Sequence, residues 1–154
     1  MLLVGEIAPD ATVFRKPREP MQLLESRGQP IVLLFFPLAF SGVCTKEMCT
    51  MAEDYSAYRD LGAEVLGISV DSPYVNAKFA EACNASFPIV SDFNKEATLA
   101  YDVMREDLGG LKEVSERAVF VIGKDGRVAY TWMGENPGVF PDFAAIREAV
   151  DRVK

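Results

Sequence analysis

Residues 31–36 read IVLLFF, six consecutive apolar side chains. Successive side chains of a strand point to opposite faces, so a strand with no polar position has no face for solvent. The run therefore predicts a strand buried on both sides, with layers of structure above and below it. Residues 64–70, EVLGISV, predict a second buried strand. Between them lie a Pro- and Gly-containing loop, PLAFSGVC, and the stretch CTKEMCTMAEDYSAYRD over 44–60. Met48, Met51, Tyr55 and Tyr58 recur there at helical spacing, Ser41 or Thr45 is placed to cap the start, and Gly62 sits just past the end. Strand, helix and strand in this order imply a parallel crossover.

The same reading extends along the chain. Asp71-Ser72-Pro73 marks a helix start, with Ser72 as cap and Pro73 at the first helical position, for a helix running to about Cys83. A short strand is predicted over 87–90 and a short helix over 95–101. Two apolar strands, 117–122 and 127–133, flank GKDG and predict a hairpin. Residues 141–153 form an amphipathic helix with Phe143, Ile146, Val150 and Val153 on one face. Near the N-terminus, 11–14 and 21–24 form an edge hairpin across a charged, Pro-containing turn at 15–20. The expected fold is α/β, a central mixed sheet with helices on both faces and an N-terminal β-hairpin extension. With 154 residues and neither repeat nor linker, residues 1–154 form one expected domain.

Composition narrows the function. Lys plus Arg is 16 against 23 Asp plus Glu, a net charge of −7 with no basic run, so neither nucleic acid nor an anionic membrane is an expected partner. The longest apolar run, 31–40, is ten residues and contains Pro37, whereas a membrane-spanning helix needs about 20. The N-terminal MLLVGEIAPD has no basic residue and too short an apolar stretch for a signal peptide, so a cytoplasmic location is expected. There is no histidine, which excludes Ser-His-Asp and Cys-His catalysis and every His-containing zinc site. Three cysteines remain, Cys44, Cys49 and Cys83, too few and too odd in number for a structural disulfide framework.

Cys44 falls after a buried strand, at the start of a helix. Free amide hydrogens and the positive end of the helix dipole favour an anion there, here a thiolate. A thiol of ordinary pKa is only about 3% ionised at pH 7, and lowering that pKa to about 6 requires about 3.4 kcal/mol of differential stabilisation. A helix terminus supplies up to about 2 kcal/mol, so a cation is also required. Arg117 is the best candidate, because it opens a strand able to lie beside the first one.

PLAFSGVC resembles the peroxiredoxin active-site motif, Pro-x-x-x-Thr/Ser-x-x-Cys, placing Pro37, Ser41 and Cys44 in the motif positions. RAVFVIGKDGRV resembles the later family motif and makes Arg117 its arginine, and VGEIAPDATVF resembles the usual family start. PLAFSGVCTKE is most similar to the one-cysteine, AhpE-like branch, in which Glu47 also fills a motif position. The resemblance implies a thioredoxin-like fold and a thiol peroxidase that reduces hydrogen peroxide or organic hydroperoxides. In it Cys44 is the nucleophile and becomes a sulfenic acid. Ser41, Arg117 and nearby backbone amides stabilise developing charge, Pro37 shields the thiolate, and Glu47 orients Arg117. It implies no metal, haem or flavin. It further implies a thioredoxin- or mycoredoxin-like reductant and a homodimer joined through sheet edges or active-site loops.

Cys49 departs from the one-cysteine pattern. It lies five residues after Cys44, the spacing of the resolving cysteine in the PrxQ-like, bacterioferritin-comigratory branch. Five residues of ideal helix separate Cα atoms by about 8.6 Å. A disulfide requires about 7 Å or less. A Cys44–Cys49 bond therefore requires the first turns of the helix to unwind. Cys49 is the expected resolver, while Cys83, read first as a packed helix-end thiol, and an external thiol stay open as alternatives. A thioredoxin-like disulfide reductase is the rival activity, but the chain lacks Cys-x-x-Cys and has no Pro before its later hairpin strand, VSERAVF.

Overall fold

The computed structural model describes residues 1–154. In chain order its first elements are β1 (Thr12–Lys16), β2 (Glu19–Gln22), β3 (Ile31–Phe35), α1 (Gly42–Asp60), β4 (Glu64–Ser69) and α2 (Pro73–Ala82). They are followed by β5 (Ile89–Ser91), α3 (Glu96–Ala100), β6 (Met104–Leu108), β7 (Leu111–Ser115), β8 (Ala118–Ile122), β9 (Val128–Met133) and α4 (Phe143–Val153). Seven strands form one sheet in the order β2-β1-β5-β4-β3-β8-β9, and β6 and β7 pair separately. β3, β4 and β5 run parallel, while β8 lies antiparallel to β3 and β9 antiparallel to β8.

The unbroken apolar run of β3 divides between two cores. Ile31, Leu33 and Phe35 face a cluster with Tyr101, Val103 and Phe120, covered by α3 and the N-terminal segment. Val32, Leu34 and Phe36 face the opposite cluster, with Met48, Met51 and Tyr58 of α1, Phe79 of α2 and Ile146 and Val150 of α4. Every residue of β3 is buried, as a strand between two packed layers must be. The α1 helix lies close to the sheet over Gly67. A Cβ there would stand 3.2 Å from the Met48 Sδ and 3.3 Å from Ile89, so a glycine permits the approach. The Tyr58 hydroxyl donates to the Phe143 carbonyl at 3.1 Å and ties α1 to α4.

Several boundaries differ from the sequence expectation. The N-terminal hairpin is tighter than expected: Lys16 pairs with Glu19 across a turn at Pro17 and Arg18, so most of 15–20 is strand. The hairpin is also continuous with the main sheet, through Phe14 opposite Ser91. Arg117 and Arg127 each stand one residue before their strands. The α1 helix begins at Gly42, two residues before Cys44, with Ser41 at the N-cap. The predicted elements assign nothing to residues 102–116, where β6 and β7 form a hairpin. Its strands are mostly exposed or half-exposed, so they carry no apolar period. The available signal is Gly109-Gly110, both at positive φ, which suits a tight hairpin turn.

Candidate active site

The α1 helix places Cys44 in its first turn, where backbone amides lack intrahelical partners and the helix dipole is positive. Thr45 lies inside the helix, its amide bonded to the Ser41 carbonyl at 2.9 Å, so Ser41 is the capping position and Thr45 is not. The Ser41 hydroxyl makes no cap. It donates instead to the Leu38 carbonyl at 2.9 Å and closes the loop that runs from Pro37 into the helix.

The topology brings Arg117 to Cys44. Because β3 and β8 are antiparallel, with Phe35 opposite Ala118, the residue before β8 lies beside the chain leaving β3. That chain is the Pro37–Ser41 loop. The Arg117 backbone is fixed by the Gly134 amide, which donates to its carbonyl at 3.0 Å. Its guanidinium is held on three sides. Nη2 donates to the Cys44 Sγ at 3.0 Å, Nη1 to the Glu47 Oε1 at 2.6 Å and Nε to the Pro137 carbonyl at 3.0 Å. Three of the five N–H groups of an arginine are thereby used, and the rest remain for another acceptor.

These groups are deeply buried: Arg117 is 2% exposed, and Glu47 and Cys44 are fully buried. Burial pushes the Glu47 carboxyl up to about 7, against the opposing attraction and hydrogen bond of Arg117. Its Oε2 has no hydrogen-bond partner. A buried pair of this kind is costly to assemble, and removing either member strands the other charge.

Above Cys44 and Arg117 opens a cleft of about 230 Å³. Pro37, Ser41, Leu108, Pro137 and Gly138 contribute to its walls. Pro37, Ser41, Cys44 and Arg117 thus share one site, and Glu47 lies behind it. Sequence reasoning missed Leu108, carried in by the β6–β7 hairpin, and the Pro137 carbonyl that anchors Arg117.

Cys49 lies elsewhere. It is on the same unbroken helix as Cys44, five residues on, and faces Cys83 at the end of α2. All three cysteines are free.

A mixed sheet carrying a cysteine at a helix start, backed by a buried arginine, defines a thiol-redox protein of thioredoxin-like fold. The profile of the AhpC/TSA family matches residues 4–131, and the chain belongs to that family. Alkyl hydroperoxide reductase E of Mycobacterium tuberculosis is 31% identical to it, covering 92% of each chain. Peroxiredoxin Bcp of Bacillus subtilis is 30% identical, covering 84% of this chain and 83% of its own. A peroxiredoxin-like protein from Aquifex aeolicus superposes with a TM-score of 0.90 at 26% identity, covering 99% of this chain and 88% of its own. The chain is a peroxiredoxin, a thiol-dependent peroxidase and so an oxidoreductase. The disulfide-reductase alternative is thereby set aside. No helix is long and apolar enough to cross a membrane.

Proposed function

We propose that Cys44 is the peroxidatic nucleophile toward hydrogen peroxide and organic hydroperoxides. The carrying observation is the Arg117 Nη2 at 3.0 Å from the Cys44 Sγ, with Glu47 fixing the guanidinium from behind. In the proposed step the thiolate sulfur attacks the nearer peroxide oxygen and the O–O bond breaks. The distal oxygen leaves with the bonding electrons and takes up a proton as water or an alcohol. Cys44 is left as the sulfenic acid. Charge moves from sulfur to the departing oxygen, so donors fixed beside both positions stabilise the transition state. Arg117 supplies them. Pro37 keeps water from the sulfur, and Glu47 positions Arg117. Ser41 acts through the loop it closes, and its hydroxyl can donate to a peroxide oxygen only by leaving the Leu38 carbonyl.

Cys49 is the proposed resolver: its sulfur attacks the sulfenic sulfur, water leaves, and a Cys44–Cys49 disulfide forms. The intact α1 keeps these residues about 8.6 Å apart at Cα, so its first turns must open. Phe40, immediately before the helix cap, sits at φ 66, a conformation that costs an ordinary side chain about 1 kcal/mol or more. This strain favours opening at that end. A thioredoxin- or mycoredoxin-like dithiol protein of the cytoplasm then reduces the disulfide. The specific observation favouring a one-cysteine cycle recycled by an external thiol is the unbroken helix between the two residues. A homodimer through the active-site loop face is supported by the exposed Phe40 of that loop.

One equivalent of hydrogen peroxide added to the reduced protein, followed by intact mass, tests the cycle. Loss of two hydrogens in the wild type, with no fast change in Cys44→Ser, is the expected result. Gain of one oxygen transfers resolution to an external thiol. An unchanged wild-type mass over minutes overturns the role of Cys44.

A further inference from the structure

On the side of α1 turned away from Arg117, two further thiols meet, one from α1 and one from α2. Cys49 is half-buried on α1, and Cys83 is 6% exposed at the C-cap of α2. The Cys83 Sγ lies 3.9 Å from the Thr45 carbonyl, and Thr45 and Cys49 are one helical turn apart on the same face. Cys83 therefore sits against the turn of α1 that ends in Cys49. Both cysteines line one surface cavity of about 280 Å³, with Ala52, Glu53, Ala82 and Asn84.

We propose that Cys49 and Cys83 form the terminal disulfide of the catalytic cycle, reached by thiol exchange from Cys44. The inference rests on the roles assigned above to Cys44 and Cys49. After the Cys44–Cys49 disulfide forms, the Cys83 thiol loses its proton to solvent and its sulfur attacks the Cys49 sulfur. The S–S bond to Cys44 breaks, and Cys44 leaves as a thiolate. No external oxidant or reductant is needed. One peroxide has taken two electrons in total, and these come from the Cys49 and Cys83 thiols.

The exchange is favoured by the fold. A Cys44–Cys49 bond holds the first turns of α1 open. The Cys49–Cys83 pair is adjacent while α1 is intact, so exchange lets the helix re-form and returns Cys44 to Arg117. It also moves the disulfide from beneath the peroxide cleft to a separate surface cavity, where a reductant reaches it without entering the peroxide site. In the reduced protein, burial first, and then the hydrogen bond and charge of Cys49, push the Cys83 thiol up to about 12. Cys83 thus stays protonated and inert toward peroxide. Once Cys49 is in a disulfide, its two contributions disappear.

Stoichiometry without reductant tests the proposal. A Cys44–Cys49 disulfide blocks further turnover, whereas exchange frees Cys44 to react again. Wild type is expected to consume two equivalents of hydrogen peroxide. Its final mass is lower by two hydrogens and higher by one oxygen, and that oxygen is trapped by dimedone on Cys44. Cys83→Ser and Cys83→Ala, checked for folding by circular dichroism, consume one, a twofold difference. After acid quenching and alkylation, a non-reducing tryptic map identifies the bond, because cleavage at Lys46, Arg59 and Lys78 places the three cysteines on separate peptides. The expected end product joins 47–59 to 79–95, preceded by a transient link of 28–46 to 47–59. A persistent Cys44–Cys49 link in wild type, with Cys83 fully alkylated, overturns the exchange and leaves Cys49 as resolver. A direct Cys44–Cys83 link that also forms in Cys49→Ser overturns both assignments. Cys44 sulfenic acid without any disulfide overturns the resolving step on which the exchange depends.

Discussion

Buried thiols flank α1 in opposite settings, Cys44 in its first turn and Cys83 packed against it from the end of α2. Cys44 and Cys83 are nearly equally inaccessible to solvent. Cys44 meets the fixed guanidinium of Arg117 at 3.0 Å, at the positive end of the helix. Cys83 meets a backbone carbonyl and another thiol, and burial pushes it far above the ordinary thiol range. The comparison teaches that equal burial can leave two sulfurs in different electrostatic surroundings, one facing a guanidinium at a helix N-terminus and the other a carbonyl and a thiol. On the proposals above, it also separates two tasks within two helical turns, one face meeting peroxide and the other storing the resulting disulfide.

Removing the Cys44 sulfur breaks the comparison most completely. Cys44→Ser is expected to reduce peroxide consumption, followed by loss of reductant absorbance, to the uncatalysed background. The next largest effect comes from Arg117→Ala, which makes the Cys44 face resemble the Cys83 face. Loss of the fixed donor lowers the second-order rate constant with peroxide about 10²–10³-fold. It also leaves the Glu47 carboxyl protonated and unpartnered in the core and destabilises the protein by about 1–3 kcal/mol, measured by denaturant unfolding. A rate within a factor of a few of wild type would show that the helix terminus alone suffices.

Glu47 sharpens the comparison through pH. Its folded-state pKa, about 7, lies above its ordinary value of 4.5 because of burial. The folded protein therefore binds this proton more tightly than the unfolded chain. The contribution of Glu47 is fully present below pH 4.5 and is lost as pH rises to about 7, a change of up to about 3 kcal/mol. Glu47→Gln is expected to remove this component, so that denaturation midpoints at pH 5 and pH 8 lie closer together than in wild type. An unchanged pH dependence would place the ionisation of Glu47 outside this range. The smallest effect tests the other face. Ser72 caps α2 by accepting from the Val75 amide at 3.2 Å, and α2 ends at Cys83. Ser72→Ala is expected to cost about 1 kcal/mol and lower Tm by about 2–4 °C. Oxidation of Cys44 should keep its rate, followed by stopped-flow fluorescence of Trp132. A matching slowdown would show that the two faces are mechanically coupled.

Local chemistry made much of this readable. The unbroken run at β3, the helical spacing in α1 and the Ser72-Pro73 start each act within a few residues, and their elements formed close to the expected bounds. The β6–β7 hairpin was silent because its strands are mostly open to solvent, leaving no apolar alternation to detect. Leu108 reached the active-site cleft unannounced for that reason.

By itself the sequence determined the elements outside the β6–β7 hairpin and the chemistry available. It specified a doubly buried strand leading to a cysteine at a helix start, no histidine, and an arginine beside a later strand. Tertiary structure alone decided which groups meet. Pairing of β8 with β3 brought Arg117 to Cys44, and packing of α2 on the sheet brought Cys83 to the far side of α1. Helix periods and turn signals are encoded in neighbouring residues, where backbone geometry acts directly. Contacts between residues far apart in the chain exist only after strands pair and layers pack, and the pKa values and partners of buried groups follow from those contacts.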